Sequence, residues 1–110
     1  MRISKELMKG STATLILTLL ARRPMYGYEL SKELEQDSGG LFALKEGTLY
    51  PILHQLEADG SVEAEWSEED GRKRKYYRVT AAGKRLLTEK TAEWRLFRST
   101  VDRVLGEETP

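Results

Sequence analysis

A chain of 110 residues with eighteen Lys or Arg, eighteen Asp or Glu and no cysteine is one domain, or one domain with an appendage, and has neither disulfides nor thiol chemistry. Its single histidine argues against a histidine-built metal site within one chain, and no apolar run reaches membrane-spanning length. The formal net charge is zero, which at first speaks against a nucleic-acid partner, but the charges are segregated: seven acids and no base from Glu57 to Asp70, then five bases and no acid from Arg72 to Arg78. Screening confines a field to about 8–10 Å at physiological salt, so a local basic patch can meet phosphate on a neutral protein. Hydrophobic residues at 39% against 33% charged are sparse for a self-sufficient globule, which points to a core completed by a second copy. The N-terminal MRISKELMKG lacks the apolar core and cleavage site of a secretory signal, so the cytoplasm is the expected compartment.

Residues 3–9 predict a helical turn or two with Ile3, Leu7 and Met8 on its apolar side, too short to bury itself. From Ser11 to Arg22 the run STATLILTLLAR is apolar on most sides and reads as a buried helix, with Pro24 as its stop. A second helix, YGYELSKELEQ, follows Pro24 with Leu30 and Leu34 one turn apart, and Ser38-Gly39-Gly40 ends it. Leu41 to Leu44 is a short apolar patch that reads as a minimal strand.

Lys45 to Gly60 is the third helix. Leu49, Ile52, Leu53 and Leu56 recur at i, i+3, i+4 and i+7, one face suited to burial. The other face carries Gly47, Tyr50, Pro51, His54 and Ala58 with no acid among them, as a helix laid against a polyanion requires. An ordinary surface helix has the same pattern, so the neighbours decide. Gly60 suits the left-handed backbone at a helix end.

Val62, Ala64 and Trp66 alternate with polar residues, as Tyr77 and Val79 do with Tyr76 and Arg78, giving two strands around the Asp-Gly of the loop Ser67–Lys73. Three helices, the second and third closely joined, followed by a hairpin with a basic return strand, make a mainly α, α+β winged helix-turn-helix with a two-stranded β-wing. From Ala81, capped by Thr80, Leu87, Lys90, Trp94, Phe97, Val101 and Val104 follow at spacings of 3 and 4, with Leu105 next to the last. This heptad seam predicts a long C-terminal dimerisation helix ending at Gly106, with folding back onto the same domain as the alternative. Trp94 and Phe97 would otherwise leave an apolar patch in water. Residues 1–80 are expected to form the DNA-binding domain, with 1–10 at the dimer interface, and 81–110 the dimerisation helix and a frayed tail, Glu107 to Pro110.

Four segments, in this order and at these spacings, resemble the PadR family of bacterial transcriptional regulators: Met25-Tyr26-Gly27-Tyr28-Glu29-Leu30, Lys45-Glu46-Gly47-Thr48-Leu49-Tyr50-Pro51, Leu56-Glu57-Ala58-Asp59-Gly60, and Arg74 through Gly83 (RKYYRVTAAG). The resemblance covers nearly the whole chain and implies a homodimeric winged-helix repressor of the shorter branch, with one C-terminal helix. The residue chemistry runs alongside. Gly27 and Gly47 let backbone approach a neighbouring helix or a phosphate. Thr48 offers a backbone N–H and a hydroxyl to phosphate, and Pro51 suits a first helical turn. Tyr50 and His54 are the candidates near base edges, with Lys45 on the DNA backbone. Arg72, Lys73, Arg74 and Lys75 are the wing's candidates for phosphate or minor-groove contact. Tyr28 divides between DNA contact and packing on the wing.

The expected function is a homodimeric repressor holding two Lys45–Asp59 helices in successive major grooves of a pseudo-palindrome on double-stranded DNA. The competing class is a ligand sensor or protein-interaction module in which DNA contact is secondary. In relatives of the resembled family an aromatic residue at the position of Trp94 stacks on flat ligands, and Trp94, Phe97, Leu7 and Met8 would line such a slot for a small aromatic or cationic effector. A plain dimer-core role for Trp94 stands beside it. Enzymatic chemistry has almost no support: there is no phosphate loop after a strand, no pair of carboxylates in an apolar setting and no sign of a cofactor.

Overall fold

The structure is a computed structural model and describes residues 3–107. Its helices are α1 (Lys5–Lys9), α2 (Thr12–Leu20), α3 (Gly27–Asp37), α4 (Glu46–Ala58) and α5 (Ala81–Leu105), and its strands are β1 (Met25–Tyr26), β2 (Val62–Glu69) and β3 (Arg72–Val79). The apolar positions at helical spacing converge on one core. Ile16, Leu17, Leu19 and Leu20 of α2 meet Leu30 and Leu34 of α3 and Leu49, Leu53 and Leu56 of α4, closed by Met25, Val62 and Tyr77 from the sheet. At roughly 1.5–3 kcal/mol for each buried aliphatic side chain, the leucines of α4 fix which of its faces remains outside.

The sheet has one strand more than the hairpin the sequence predicts. Met25 and Tyr26 pair antiparallel with Tyr77 and Tyr76, so the order is β1-β3-β2. The second helix accordingly begins at Gly27, one residue after the expected Tyr26; the Glu29 carboxylate accepts from the Tyr26 N–H at 3.3 Å, as the returning half of a capping box does. Two residues are too few to show a period of two, and their partners lie fifty residues downstream. The expected strand at Leu41–Leu44 does not form. Its backbone groups find side chains instead: the Phe42 N–H donates to Ser38 Oγ at 2.9 Å, and the Leu44 carbonyl accepts from Ser31 Oγ at 3.1 Å. Phe42 and Leu44 still pack on the core.

The wing is longer than the loop Ser67–Lys73 implied. Pairing runs without a break from Val62↔Val79 to Glu69↔Arg72. Only Asp70 and Gly71 turn, both with positive φ, 50° and 76°, the requirement of a type I′ hairpin turn. Gly60 takes the left-handed backbone expected of it, at φ 76°.

α5 starts on Thr80, whose hydroxyl accepts from the Gly83 N–H at 3.0 Å and donates to the Gly60 carbonyl at 2.6 Å. Gly83 is buried and Leu86 and Leu87 pack on the core, whereas Trp94, Leu96, Phe97, Val104 and Leu105 are exposed. Its 25 residues span about 37 Å. Gly106, φ 76°, ends it; of the expected frayed tail, residues 108–110 lie outside the described residues. Among the described residues no helix is long and apolar enough to cross a membrane.

Candidate nucleic-acid interface

With Leu49, Leu53 and Leu56 buried, α4 presents Gly47, Thr48, Pro51, His54, Gln55 and Ala58 to solvent. Lys45, its N-cap, is exposed as well. Tyr50 departs from the expected outward pose. It is half-buried and turned onto the start of α3, so that a Cβ added at Gly27 would lie 2.5 Å from its Oη. Gly27 is therefore a close helix-to-helix approach, and burial, followed by the nearby Glu46 and Tyr77, raises the Tyr50 pKa above its ordinary 10.0. His54 stays exposed, with its ring 6.2 Å from that of Tyr50.

Two further expectations on α4 change. The Thr48 N–H already donates to the Lys45 carbonyl at 2.9 Å, leaving only its hydroxyl for a phosphate. Pro51 is the sixth residue of α4 rather than part of its first turn; the absent N–H leaves the Gly47 carbonyl without its helical donor, at a residue exposed to solvent.

The pleat divides the basic run that looked uniform in the sequence. In the observed register Val62, Ala64, Trp66 and Glu68 lie opposite Val79, Tyr77, Lys75 and Lys73, on the face that turns towards α4 and the core. Glu63, Glu65, Ser67 and Glu69 lie opposite Arg78, Tyr76, Arg74 and Arg72 on the outer face. There Arg78 pairs with Glu63 at 2.7 Å and Arg74 with Glu69 at 3.6 Å. Arg74 also lies over the Tyr26 ring, 4.7 Å from its centroid. Glu63 and Glu69 of β2 thus pair with two of the three outer arginines. Arg72 and Lys73 make no ion pair among the described residues.

On the inner face the Lys75 ammonium is 3.5 Å from Glu57 of α4 and 5.3 Å from the Tyr77 ring centroid. Burial works against its charge, but the Tyr77 phenol and the Glu57 carboxylate outweigh it, and its pKa is raised above 10.5. The Tyr77 hydroxyl is buried. Between α4 and this face runs a groove of about 450 Å³, lined by Tyr26, Gly27, Tyr50, His54, Trp66, Lys73, Arg74, Lys75 and Tyr77. No carboxylate is in that lining.

Tyr28, 62% exposed, stacks on Tyr26 at 6.4 Å under Lys32, while Tyr26 meets Tyr76 edge-on at 5.4 Å. Tyr26, not Tyr28, joins helix to wing. Sequence reasoning missed Tyr26 because only long-range pairing places it. It also missed Gln55, although spacing from Thr48 and Pro51 puts it on the outward stripe of α4, and Trp66, whose face follows once Asp70-Gly71 is taken as a two-residue turn.

The residues expected at a dimer or effector site share none of this lining. Trp94 and Phe97, 43% and 54% exposed, stack at 5.6 Å. With Leu7, Leu15 and the polar residues around them they line a groove of about 380 Å³ between α5 and the α1–α2 corner. Met8 is half-buried outside that lining, and Leu87 packs into the protein's own core, so neither faces outward as the sequence suggested. Val101 is half-buried, whereas Val104 and Leu105 are exposed. Among the described residues no three His, Asp or Glu side chains gather into a metal-holding group.

Comparison with known proteins joins these observations. The model of the transcriptional regulator PadR-like family matches residues 16–89. Transcriptional regulator Rv3488 of Mycobacterium tuberculosis is 39% identical over 85 residues, covering 77% of each chain. A PadR family transcriptional regulator from Eggerthella lenta superposes with TM-score 0.82 at 38% identity, covering 94% of this chain and 88% of its own. A transcriptional regulator from Clostridium thermocellum superposes with TM-score 0.85 at 32% identity, covering 90% and 97%. With the family match spanning more than half of its length and solved relatives sharing the whole topology, the chain belongs to the PadR-like family of transcriptional regulators and is a DNA-binding regulator rather than an enzyme.

Proposed function

We propose that the protein is a cytoplasmic homodimeric repressor that binds a pseudo-palindromic operator, with two α4 helices about 34–36 Å apart in successive major grooves. The observation that carries this reading is the acid-free outward stripe of α4, from Gly47 to Ala58, running into an acid-free groove under the wing. Exposed His54 and Gln55 supply side chains for base edges. Thr48, Lys45 and the backbone at Gly47 position the helix on phosphates, and Pro51 offers a flat apolar contact. Tyr50 supports this face from beneath through Gly27. On the wing the unpaired Arg72 and Lys73 are the first candidates for phosphate contact. Arg74 and Lys75 contribute only by leaving Glu69 and Glu57, and Tyr28 reaches the flanking backbone.

The apolar side of α5, with Trp94, Phe97, Val101, Val104 and Leu105, is the surface offered to a second copy, aided by α1. Residues 1–80 then act as the reading head and 81–110 as the spacer that sets its separation. Selecting bound fragments from random duplex DNA with the purified protein tests the reading. Recovery of a two-fold symmetric motif with half-sites one turn apart is the expected result, and the absence of any enriched motif would refute it.

A second reading, release of the operator by a small aromatic or cationic effector, is favoured by one observation. The stacked, exposed Trp94 and Phe97 form a wall of an apolar groove large enough for a flat molecule. Quenching of the Trp94 emission by planar compounds, measured in a Trp66→Phe background, tests it.

A further inference from the structure

We infer that the groove between α4 and the inner face of the wing seats the sugar–phosphate backbone of one DNA strand, with Trp66 as its central contact. The inference rests on the DNA-binding reading above and names a residue and a face that the basic run alone does not. Lys73, Lys75 and the His54 imidazole line the groove without a carboxylate, whereas on the outer face Arg74 and Arg78 pair with Glu69 and Glu63. Lys73 and Lys75 are two residues apart on one strand and share its inner face, about 6.6–7 Å from each other. That is comparable with the step between successive phosphates of a nucleic-acid strand.

Trp66 stands opposite Lys75 in the register and is 65% exposed. An indole left in water beside two ammonium groups presents an apolar surface to deoxyribose and an N–H to phosphate. The Glu57 contact to Lys75, at 3.5 Å, is long for a charge-assisted hydrogen bond, so an incoming phosphate competes for that ammonium. Towards the tip Glu68 joins Trp66 and Lys73 around a second hollow, which ends the acid-free path and confines the strand to the α4 side of Trp66.

The test uses the full chain and a labelled mixed-sequence duplex of about 30 base pairs in about 50 mM salt, because backbone contacts need no operator. By fluorescence polarisation Trp66→Ala is expected to weaken binding about five- to tenfold, and Trp66→Phe to recover most of it. The thermal midpoint should move by less than about 2 °C, since the indole is exposed. Lys73→Gln combined with Lys75→Gln should lower the slope of log affinity against log salt by about two per protomer. Adding duplex should change the tryptophan emission of the natural protein but not that of Trp66→Phe.

If Trp66→Ala binds the duplex as tightly as the natural protein, the groove is not the seat and the DNA-binding reading stands without it. If the natural protein binds no duplex at all, both fall. A Trp66 emission change with adenosine monophosphate as large as with duplex would mark a small-molecule seat and overturn the inference.

Discussion

Gly83→Ala is the sharpest test of how α5 is joined to the DNA-reading part. A Cβ at Gly83 would overlap the Ser61 carbonyl oxygen and sit 2.7 Å from a Val79 methyl. Ordinary contact needs about 3.5 Å or more, so α5 must withdraw by more than about 1 Å. The atom it meets is backbone, and that carbonyl already accepts from the Thr80 N–H at 3.0 Å. Overpacking of this kind costs about 1–3 kcal/mol. Disturbing the Thr80 cap, whose hydroxyl accepts from Gly83 N–H, adds up to about 1 kcal/mol. The better helix propensity of Ala returns at most about 1 kcal/mol. The net expectation is a loss of about 1–3 kcal/mol, or roughly 5–15 °C in Tm for a chain of this size. Thermal unfolding followed by circular dichroism at fixed protomer concentration measures it, since a dimer's midpoint moves with concentration. Gly47→Ala is the control. It lies in α4 with nothing within 4 Å of the added Cβ, so its midpoint should hold or rise while duplex affinity falls if backbone approaches phosphate there. A Gly83→Ala midpoint equal to or above that of the natural protein would refute the reasoning.

Phe97→Lys places a charge in the exposed stacked pair and should raise the dimer dissociation constant roughly thirtyfold or more, read by sedimentation; an unchanged constant would move the interface off this seam. Arg72→Ala should flatten the salt dependence of duplex binding by about one per protomer, and Arg74→Ala by less, because Glu69 and the Tyr26 ring hold Arg74; the reverse order would mean that Arg74 leaves those partners to meet the DNA. Tyr50 and Lys75 both have folded pKa values raised above their ordinary 10.0 and 10.5. Their contributions are therefore complete below those unfolded values and are lost as pH rises through the folded ones. Their share of stability should be flat from about pH 7 to about pH 9.5 and fall above that. A chemical-denaturation series in Tyr50→Phe should show a shallower alkaline fall, and an identical one would place Tyr50 outside the packed interface.

Much of the molecule was legible because the signals are local. Helical spacing of Leu49, Leu53 and Leu56 determined the buried face of α4, and with it the outward stripe. Gly60, Asp70-Gly71 and Gly106 marked turns through backbone freedom alone, and Thr80 marked the start of α5 through its cap. Ordered segments from Met25 to Gly83 were specific enough to point to the family.

What the tertiary structure decided depends on contacts between residues far apart in the chain. β1 exists because Met25 and Tyr26 find Tyr77 and Tyr76, and two residues cannot signal a strand by themselves. Leu41–Leu44 has strand composition but no neighbouring edge, so side chains of Ser31 and Ser38 take its backbone groups. Tyr50 turned inward because Gly27, twenty-three residues earlier, left room for its ring. The basic run Arg72–Lys75 reads in sequence as one patch; pairing with β2 separates it by parity, with Arg72 and Arg74 on the outer face with Ser67 and Glu69, and Lys73 and Lys75 on the inner face with Glu68 and Trp66. The order of charges along the chain marked the basic run, and strand register, a property of two segments held together, decided which face each of those charges takes.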